Sequence, residues 1–225
     1  MERPHFVEGY VYHIYNRGVE KRNIFLEDKD RLRFIADLYE FNDTAPVFNP
    51  ARQPFEVRLQ TRRKQTLVEI LSFCLMPNHY HLMMRQKEGN GITEFMRKLG
   101  TGYTNYFNLK YTRVGSLFQG KFKAILLKQE GHLTHLPHYI HLNPLDITMP
   151  EWRKRKIRNP RKIMRILQRY RWSSLPDYLG RKNFPSVISP AFLNECIGGP
   201  KDFLRQMSEF IQDANCDFVA EVALE

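Results

Sequence analysis

What most constrains this chain is the order in which its hydrophobic periodicity changes between residues 9 and 144. GYVYHIYNRG (9–18) alternates Tyr10, Tyr12 and Ile14 with Val11, His13 and Tyr15, the period of a strand, and Gly18 ends it. EDKDRLRFIADLYEF (27–41) then sets Leu32, Ile35, Ala36 and Tyr39 on one helical stripe, with Asp28 or Asp30 available to cap it. TLVEILSFCLM (66–76) and HYHLMMR (79–85) are β-rich runs separated by Pro77-Asn78, which predicts two strands and a short turn. GITEFMRKLGTGYTNYFNLKY (91–111) lines up Ile92, Phe95, Met96, Leu99, Tyr103, Tyr106 and Phe107 as a second helix. Gly100 and Gly102 each cost about 1 kcal/mol relative to Ala in a helix interior, so a bend or break is expected there. SLFQGKFKAILLK (116–128) reads as another strand, and EGHLTHLPHYIHLNP (130–144) as a helix that must stop before Asn143-Pro144. The succession β-α-β-β-α-β predicts a ferredoxin-like α+β fold, an antiparallel sheet with its helices on one face.

Residues 1–149 hold this pattern, interrupted over 43–66 by Pro46, Pro50 and Pro54 and then by Arg58, Arg62, Arg63 and Lys64, a basic loop or insertion. Residues 150–225 form an extension expected to be mainly helical, basic at its start and acidic at its end. Its charge is lopsided: residues 151–182 carry twelve basic side chains against Glu151 and Asp177. Cations so crowded repel one another unless phosphates neutralise them, so the net charge of +11 points to a nucleic-acid partner, although a solvated helix face gives the same composition. No apolar run approaches the roughly 20 residues of a membrane span, and the charged start lacks a secretory signal, so no membrane partner and a cytoplasmic location are expected. Cys74, Cys196 and Cys216 are dispersed and form no CxxC pair, which argues against a disulfide framework or a thiolate zinc site.

Side chains two apart on a strand share a face, so His79 and His81 in MPNHYHLMMR stand side by side while Tyr80 and Leu82 face the other way. Two converging imidazoles suit a divalent metal with open positions, a third ligand coming from a neighbouring element. The same pair is also compatible with satisfied polar residues at a strand start. His132, His135, His138 and His141 repeat every third residue, a spacing that drifts around a helix and makes no tight cluster.

Six blocks occur in a fixed order: YHIYNRG (12–18 with Tyr12), LMPNHYHLMM (75–84), YTNYFN (103–108), GSLFQGKFKA (115–124), YIHLNP (139–144) and YRWSS (170–174). Together they resemble the HUH endonucleases, and within them the single-tyrosine insertion-sequence transposases and the REP-associated tyrosine transposases. The resemblance spans about residues 5–180, with Tyr80 bulkier than the usual middle residue of the His-hydrophobic-His motif. It implies a metal-dependent enzyme that cleaves and rejoins single-stranded or hairpin DNA through a 5′-phosphotyrosine, with Mg²⁺ or Mn²⁺ as cofactor, in a prokaryotic nucleoid-associated setting.

By this resemblance Tyr103 is the nucleophile, with Tyr106 the alternative, and His79, His81 and Asn108 hold the metal. Asn108 lies about 140° round an ideal helix from Tyr103, so the two share a site only if the helix bends or ends between them. His13, Asn16 and Arg17 are expected either to orient the active site or to touch DNA; further expected DNA contacts are Arg62, Arg63 and Lys64; Lys121 and Lys123; Arg153, Lys154, Arg155, Lys156, Arg158, Arg161 and Lys162; and Trp172, which serves equally as a core anchor. Two other readings stay open: a rolling-circle initiator or relaxase, and a ferredoxin-like nucleic-acid-binding module that has lost catalysis. Both monomer and homodimer fit the sequence.

Overall fold

The computed structural model describes residues 3–46, 64–87, 89–150, 152 and 159–213. Four strands alternate with helices in the expected order: β1 (Val11–Arg17), α1 (Asp28–Glu40), β2 (Val68–Met76), β3 (His79–Gln86), α2 (Gly91–Lys110) and β4 (Lys123–Leu126). The sheet order is β2-β3-β1-β4 and every neighbouring pair is antiparallel, the ferredoxin-like arrangement. A second helical series follows: α3 (Glu130–Leu142), α4 (Leu145–Thr148), α5 (Pro160–Arg169), α6 (Leu175–Tyr178), α7 (Ala191–Ile197) and α8 (Pro200–Asp213). Among the described residues no helix is long and apolar enough to cross a membrane.

Strand alternation gives the sheet two different faces. Tyr12, Ile14, Tyr80 and Leu82 point toward α1 and α2, where Phe34 meets Tyr80 at 5.0 Å and Tyr103 at 4.9 Å between ring centroids. Burial of each such aromatic stabilises the fold by about 1.5–3 kcal/mol. α1 begins with a capping box, Glu27 at the N-cap and Asp30 at N3, rather than with Asp28 or Asp30 at the cap itself. The fully buried Asp30 carboxylate also accepts from Tyr106 (3.0 Å), Tyr111 (2.7 Å) and Lys110, tying the start of α1 to the end of α2.

α2 is continuous, so the break expected at its glycines does not occur. A Cβ at Gly102 would lie 2.4 Å from the Phe41 ring, and this glycine lets α1 and α2 approach; Gly100 faces open space. β4 is shorter than expected because the chain turns at Gly120 (φ 88°) and residues 116–122 form a loop that hydrogen-bonds back to the end of β1, Gln119 N to Arg17 O at 2.9 Å.

The opposite face carries His13, Tyr15, His79 and His81 and is covered by α3, so the helices are not confined to one side. The extension packs behind α3 and along β2, whose exposed edge it closes: Leu75 N donates to Trp172 O (2.9 Å), Ser174 N to Phe73 O (3.0 Å) and Ser189 N to Ile70 O (2.8 Å). Closing an edge in this way removes a template for unwanted strand pairing. One core cluster consequently runs from Val11 to Ile211.

Candidate active site

The β1–β3 register sets Tyr15 opposite His81 and Arg17 opposite His79, so all four side chains share the α3 face. His81 is fully buried and its Nδ1 lies 2.9 Å from Nε2 of the equally buried His13, the rings nearly parallel at 5.1 Å. His79 Nδ1 lies 2.6 Å from Asn78 Oδ1. The Asn78 amide is oriented by its Nδ2 donating to Lys21 O (3.2 Å), so Oδ1 is the acceptor and His79 carries its proton on Nδ1. That leaves Nε2 of His79 as the lone-pair nitrogen. If His81 Nδ1 is the donor in its contact with His13 Nε2, Nε2 of His81 is its lone-pair nitrogen as well. Fixing the tautomer through the other ring nitrogen is the usual second layer of a metal-binding imidazole. His79 and His81 stand edge to face, 5.0 Å between centroids.

Among the described residues no group of three or more His, Cys, Asp or Glu side chains is arranged to hold a metal. Two imidazole nitrogens fit a cation whose remaining positions are filled by an amide, water or substrate oxygens, and do not by themselves make a closed structural site.

His79 opens onto a cleft of about 830 Å³, also lined by Tyr15, Arg17, Lys21, Asn78, Gln119, Lys123 and Asp146. Among its described lining residues, three cations against one carboxylate give it a positive field. Arg17 is steadied by Gln119, Nε to Oε1 at 2.6 Å.

Two tyrosines meet the His81 ring. Tyr15 stacks on it at 6.0 Å from β1, and Tyr139 meets it edge-on at 6.0 Å from α3, also contacting His13 at 6.4 Å and Trp152 at 6.4 Å. Tyr139 is fully buried. Asn143, one turn later on the same side of α3, donates through Nδ2 to Tyr139 O (3.0 Å) and Ile140 O (3.2 Å) and caps the helix.

Tyr103 is not brought to the histidines. It lies on the other face of the sheet, fully buried, its hydroxyl donating to Ile24 O at 2.6 Å, and burial together with the nearby Asp30 charge pushes its pKa up, away from a usable nucleophile. Tyr106 is held by Asp30 on that same side. Asn108 is also excluded as a ligand to the pair: its Nδ2 donates to Gly115 O (2.8 Å) and its Oδ1 accepts from Arg113 (3.2 Å), closing the turn after α2. The sequence reading failed here because Tyr103 and Tyr106 sit on an amphipathic stripe that faces the α1 side of the core, while Asn108, off that stripe, closes the following turn.

The other expected contacts divide sharply. His13 orients His81. Asn16 is nearly buried and bonds Gly120 O (3.1 Å) and Arg17 N (2.9 Å), shaping the rim. Lys64 is committed to Tyr39, its ammonium bonded to the carbonyl and 3.6 Å from the ring centroid, and does not point to a phosphate. Trp172 is 7% exposed, stacked on Phe184 at 6.5 Å and flanked by Arg31 and Arg171, and is an anchor rather than a base platform. Lys121, Lys123, Arg161 and Lys162 are exposed, the last two on α5. Arg62, Arg63, Arg153, Lys154, Arg155, Lys156 and Arg158 lie outside the described residues. His138 and His141 are buried between α3 and the extension, and desolvation lowers their pKa values to about 4 and about 3.

Sequence inspection missed Tyr139 and Asn143. Their four-residue spacing in YIHLNP puts both on one side of a helix, a signal obscured by the histidines that alternate around them.

The ferredoxin-like sheet thus presents a His-x-His pair on one strand with a helix-borne tyrosine packed against it. Residues 45–143, a segment that includes His79, His81, Tyr139 and Asn143, match the family model described as transposase, IS200-like. The fold is that of a REP-associated tyrosine transposase solved bound to a REP hairpin: TM-score 0.52 at 13% identity, covering 84% of this chain and 90% of that one. No curated protein matches the chain in sequence.

Proposed function

We propose that the chain is a metal-dependent transposase that cleaves and rejoins single-stranded DNA at hairpin sequences, with Tyr139 in place of Tyr103 as the nucleophile. The observation that carries this reading is the packing of Tyr139, from α3, on the ring of His81 beside the cationic cleft. Tyr15 shares the contact but lies outside the matched transposase segment, whereas Tyr139 and Asn143 lie inside it.

His79 and His81, with Asn143 in place of Asn108 as a third protein ligand, would hold Mg²⁺ or Mn²⁺, which would supply polarisation of the scissile phosphate. The chain's own residues do the rest. Arg17, Lys21 and Lys123 draw the phosphate into the cleft, and Asn78 and His13 keep the imidazoles turned toward it. The Tyr139 oxygen attacks phosphorus, forming the phosphotyrosine bond as the bond to the 3′ oxygen breaks; the phenol proton ends on the departing 3′-hydroxyl. Reversal with a second 3′-hydroxyl rejoins strands without an external energy source. Tyr139 is fully buried, so its hydroxyl must become accessible to the phosphate before attack.

That burial is the one observation favouring a second reading, a binding module without cleavage. Incubation with labelled hairpin DNA and Mn²⁺, resolved on a denaturing gel, separates the two. A covalent band is expected for wild type and Tyr103→Phe, and none for Tyr139→Phe or for His79→Ala/His81→Ala. A band that survives Tyr139→Phe and vanishes in Tyr15→Phe moves the nucleophile to β1. Retention of hairpin by every variant with no band from wild type establishes the binding module.

A further inference from the structure

Three described residues other than glycine hold a left-handed backbone, and two of them are consecutive and adjoin the cleft: Glu20 (φ 56°) and Lys21 (φ 59°). In this region Cβ crowds the neighbouring carbonyl, so glycine, asparagine or aspartate is the expected occupant. A glutamate and a lysine in succession persist only where the surroundings fix them. The surroundings do so here. Gly18 opens the turn, since a Cβ there would lie 2.2 Å from Arg22 O. Lys21 N then donates to Gly18 O (3.0 Å) and Arg22 N to Val19 O (3.1 Å), and the buried Ile24 and Phe25 anchor the exit.

The turn is laid against the two residues that join β2 to β3. Gly18 N donates to Asn78 O (2.8 Å), Ile24 N and Phe25 N both donate to Pro77 O (2.9 and 3.1 Å), and Asn78 Nδ2 donates to Lys21 O (3.2 Å). Asn78 Oδ1 in turn meets His79 Nδ1 at 2.6 Å. Lys21 thus offers its carbonyl to Asn78 while the residue lines the cleft beside His79. Glu20 is not part of the cleft wall: its side chain is 80% exposed and lies 3.0 Å from Arg22, an exposed pair of little energetic consequence. Its contribution to the turn is through its backbone.

We propose that the strained pair Glu20–Lys21 positions His79: by holding Lys21 O within reach of the Asn78 amide, it fixes His79 as the Nδ1–H tautomer, with Nε2 as the nitrogen that carries the lone pair. An amide has a donor end and an acceptor end of similar shape. Without an acceptor at Lys21 O, the Asn78 side chain can turn and offer its NH₂ to the ring, which selects the opposite tautomer. A relaxed turn would place that carbonyl elsewhere, and this is the physical reason for keeping two side chains in a backbone region that disfavours them. Glu20 and Lys21 are positioning residues in this scheme, acting through Asn78. What Nε2 goes on to bind rests on the strand-cleaving reading; the tautomer itself does not.

The first readout needs neither DNA nor metal: two-bond proton–nitrogen correlation of the ring nitrogens in the isotope-labelled full chain, in mildly alkaline buffer where the imidazole is neutral, with His79 assigned by the loss of its signals in His79→Gln. Wild type is expected to show His79 as the Nδ1–H tautomer. Glu20→Gly accepts the left-handed turn without strain, and is expected to keep that tautomer and to hold or raise the thermal midpoint. Glu20→Val loses the same ion pair but disfavours the turn, and Asn78→Ala removes the relay without touching the turn. Both are expected to shift His79 towards Nε2–H and to weaken Mn²⁺ binding, read by calorimetry, by about tenfold, the scale of losing an outer partner of a metal-bound imidazole. Glu20→Thr stands in for Glu20→Val if the latter does not fold. Wild type with His79 as Nε2–H, or a tautomer left unchanged by either Glu20→Val or Asn78→Ala, overturns the device. So does an equal shift in Glu20→Gly and Glu20→Val, which would trace the effect to the ion pair. The expected tautomer shifts in a protein that binds no Mn²⁺ leave the positioning standing and remove the metal reading; Mn²⁺ binding by a wild type whose His79 is Nε2–H does the opposite.

Discussion

The two faces of one four-stranded sheet each bury a tyrosine, and the comparison between them separates structure from chemistry. On the α1–α2 face Tyr103 sits among Phe25, Phe34 and Phe107, its hydroxyl spent on a backbone carbonyl. On the α3 face Tyr139 sits among His13, His81 and Trp152, beside a cleft rimmed with cations. Both are fully buried, so exposure does not distinguish them. The neighbours do: burial and the nearby Asp30 charge push the pKa of the first up, whereas the second lies against the imidazoles that the proposed phosphate chemistry would use.

The largest expected effect breaks this comparison outright. Tyr139→Phe should remove the covalent DNA adduct entirely while shifting the denaturant midpoint little. Tyr103→Phe should keep the adduct and lose about 1–2 kcal/mol of stability, because Ile24 O is left without its donor. Chemical denaturation and the adduct gel, run on the same two proteins, read both halves.

Next in size is Asp30→Ala, which acts only on the α1–α2 face. Burial alone would push this carboxylate up, but bonds from Lys110, Tyr111 and the Leu26 and Glu27 amides hold its pKa below the ordinary value. Removing it leaves Lys110 with Glu27 as its remaining carboxylate and takes the acceptor from two tyrosine hydroxyls. A loss of about 2–4 kcal/mol is expected, discounted because Lys110 is partly solvated, with strand cleavage per folded molecule unchanged. Its depressed pKa adds stability above the unfolded carboxylate value, lost as pH falls through the lower folded one. His13→Ala is the mirror experiment on the α3 face. It should cost about 10- to 100-fold in Mn²⁺ affinity by calorimetry, with circular dichroism unaltered, because His81 loses the partner that sets its tautomer.

A smaller effect is tied to acid. His138 packs on Phe203 and Phe210 of α8, and desolvation lowers its pKa to about 4, with His135 adding to the shift and Gln206 opposing it. A histidine whose folded pKa lies below its unfolded value contributes fully above about pH 6.5 and destabilises progressively as pH falls toward about 4. The slope approaches 1.4 kcal/mol per pH unit. His138→Phe should flatten that part of the stability curve measured by urea denaturation from pH 7 to 4.5.

The sheet was legible in the sequence because each strand and helix is long enough to show its period, and HYH is visible as two side chains on one strand face. The site was only half legible. Which face of the sheet a helix covers is not encoded in that helix's own periodicity, so Tyr103 and Tyr139, both on apolar stripes, look alike until the crossovers are built. Asn78 escaped for a different reason: a turn residue next to a proline already has a local explanation, and its bond to His79 appears only once Lys21 O fixes the amide. The charge run was read correctly as charge, but composition does not reveal that Lys64 is spent on Tyr39.

The smallest effect sharpens that last distinction. Arg161 is exposed at the start of α5, and Lys64 is held on the Tyr39 ring, yet the two count equally in the net charge. A cation that contacts phosphate releases a counterion, so its removal lowers the slope of log affinity against log salt by about one and weakens binding similarly for every DNA sequence. Arg161→Ala is expected to produce that change, under about 1 kcal/mol at moderate salt, if α5 faces the hairpin stem. Lys64→Ala should leave the slope where it is and register only as a slight loss of stability. A salt titration in which both variants lower the slope alike would mean that the cation–aromatic contact at Tyr39 opens on binding. One in which neither does would move the duplex contact off α5 and onto the cleft cations that flank the end of β1.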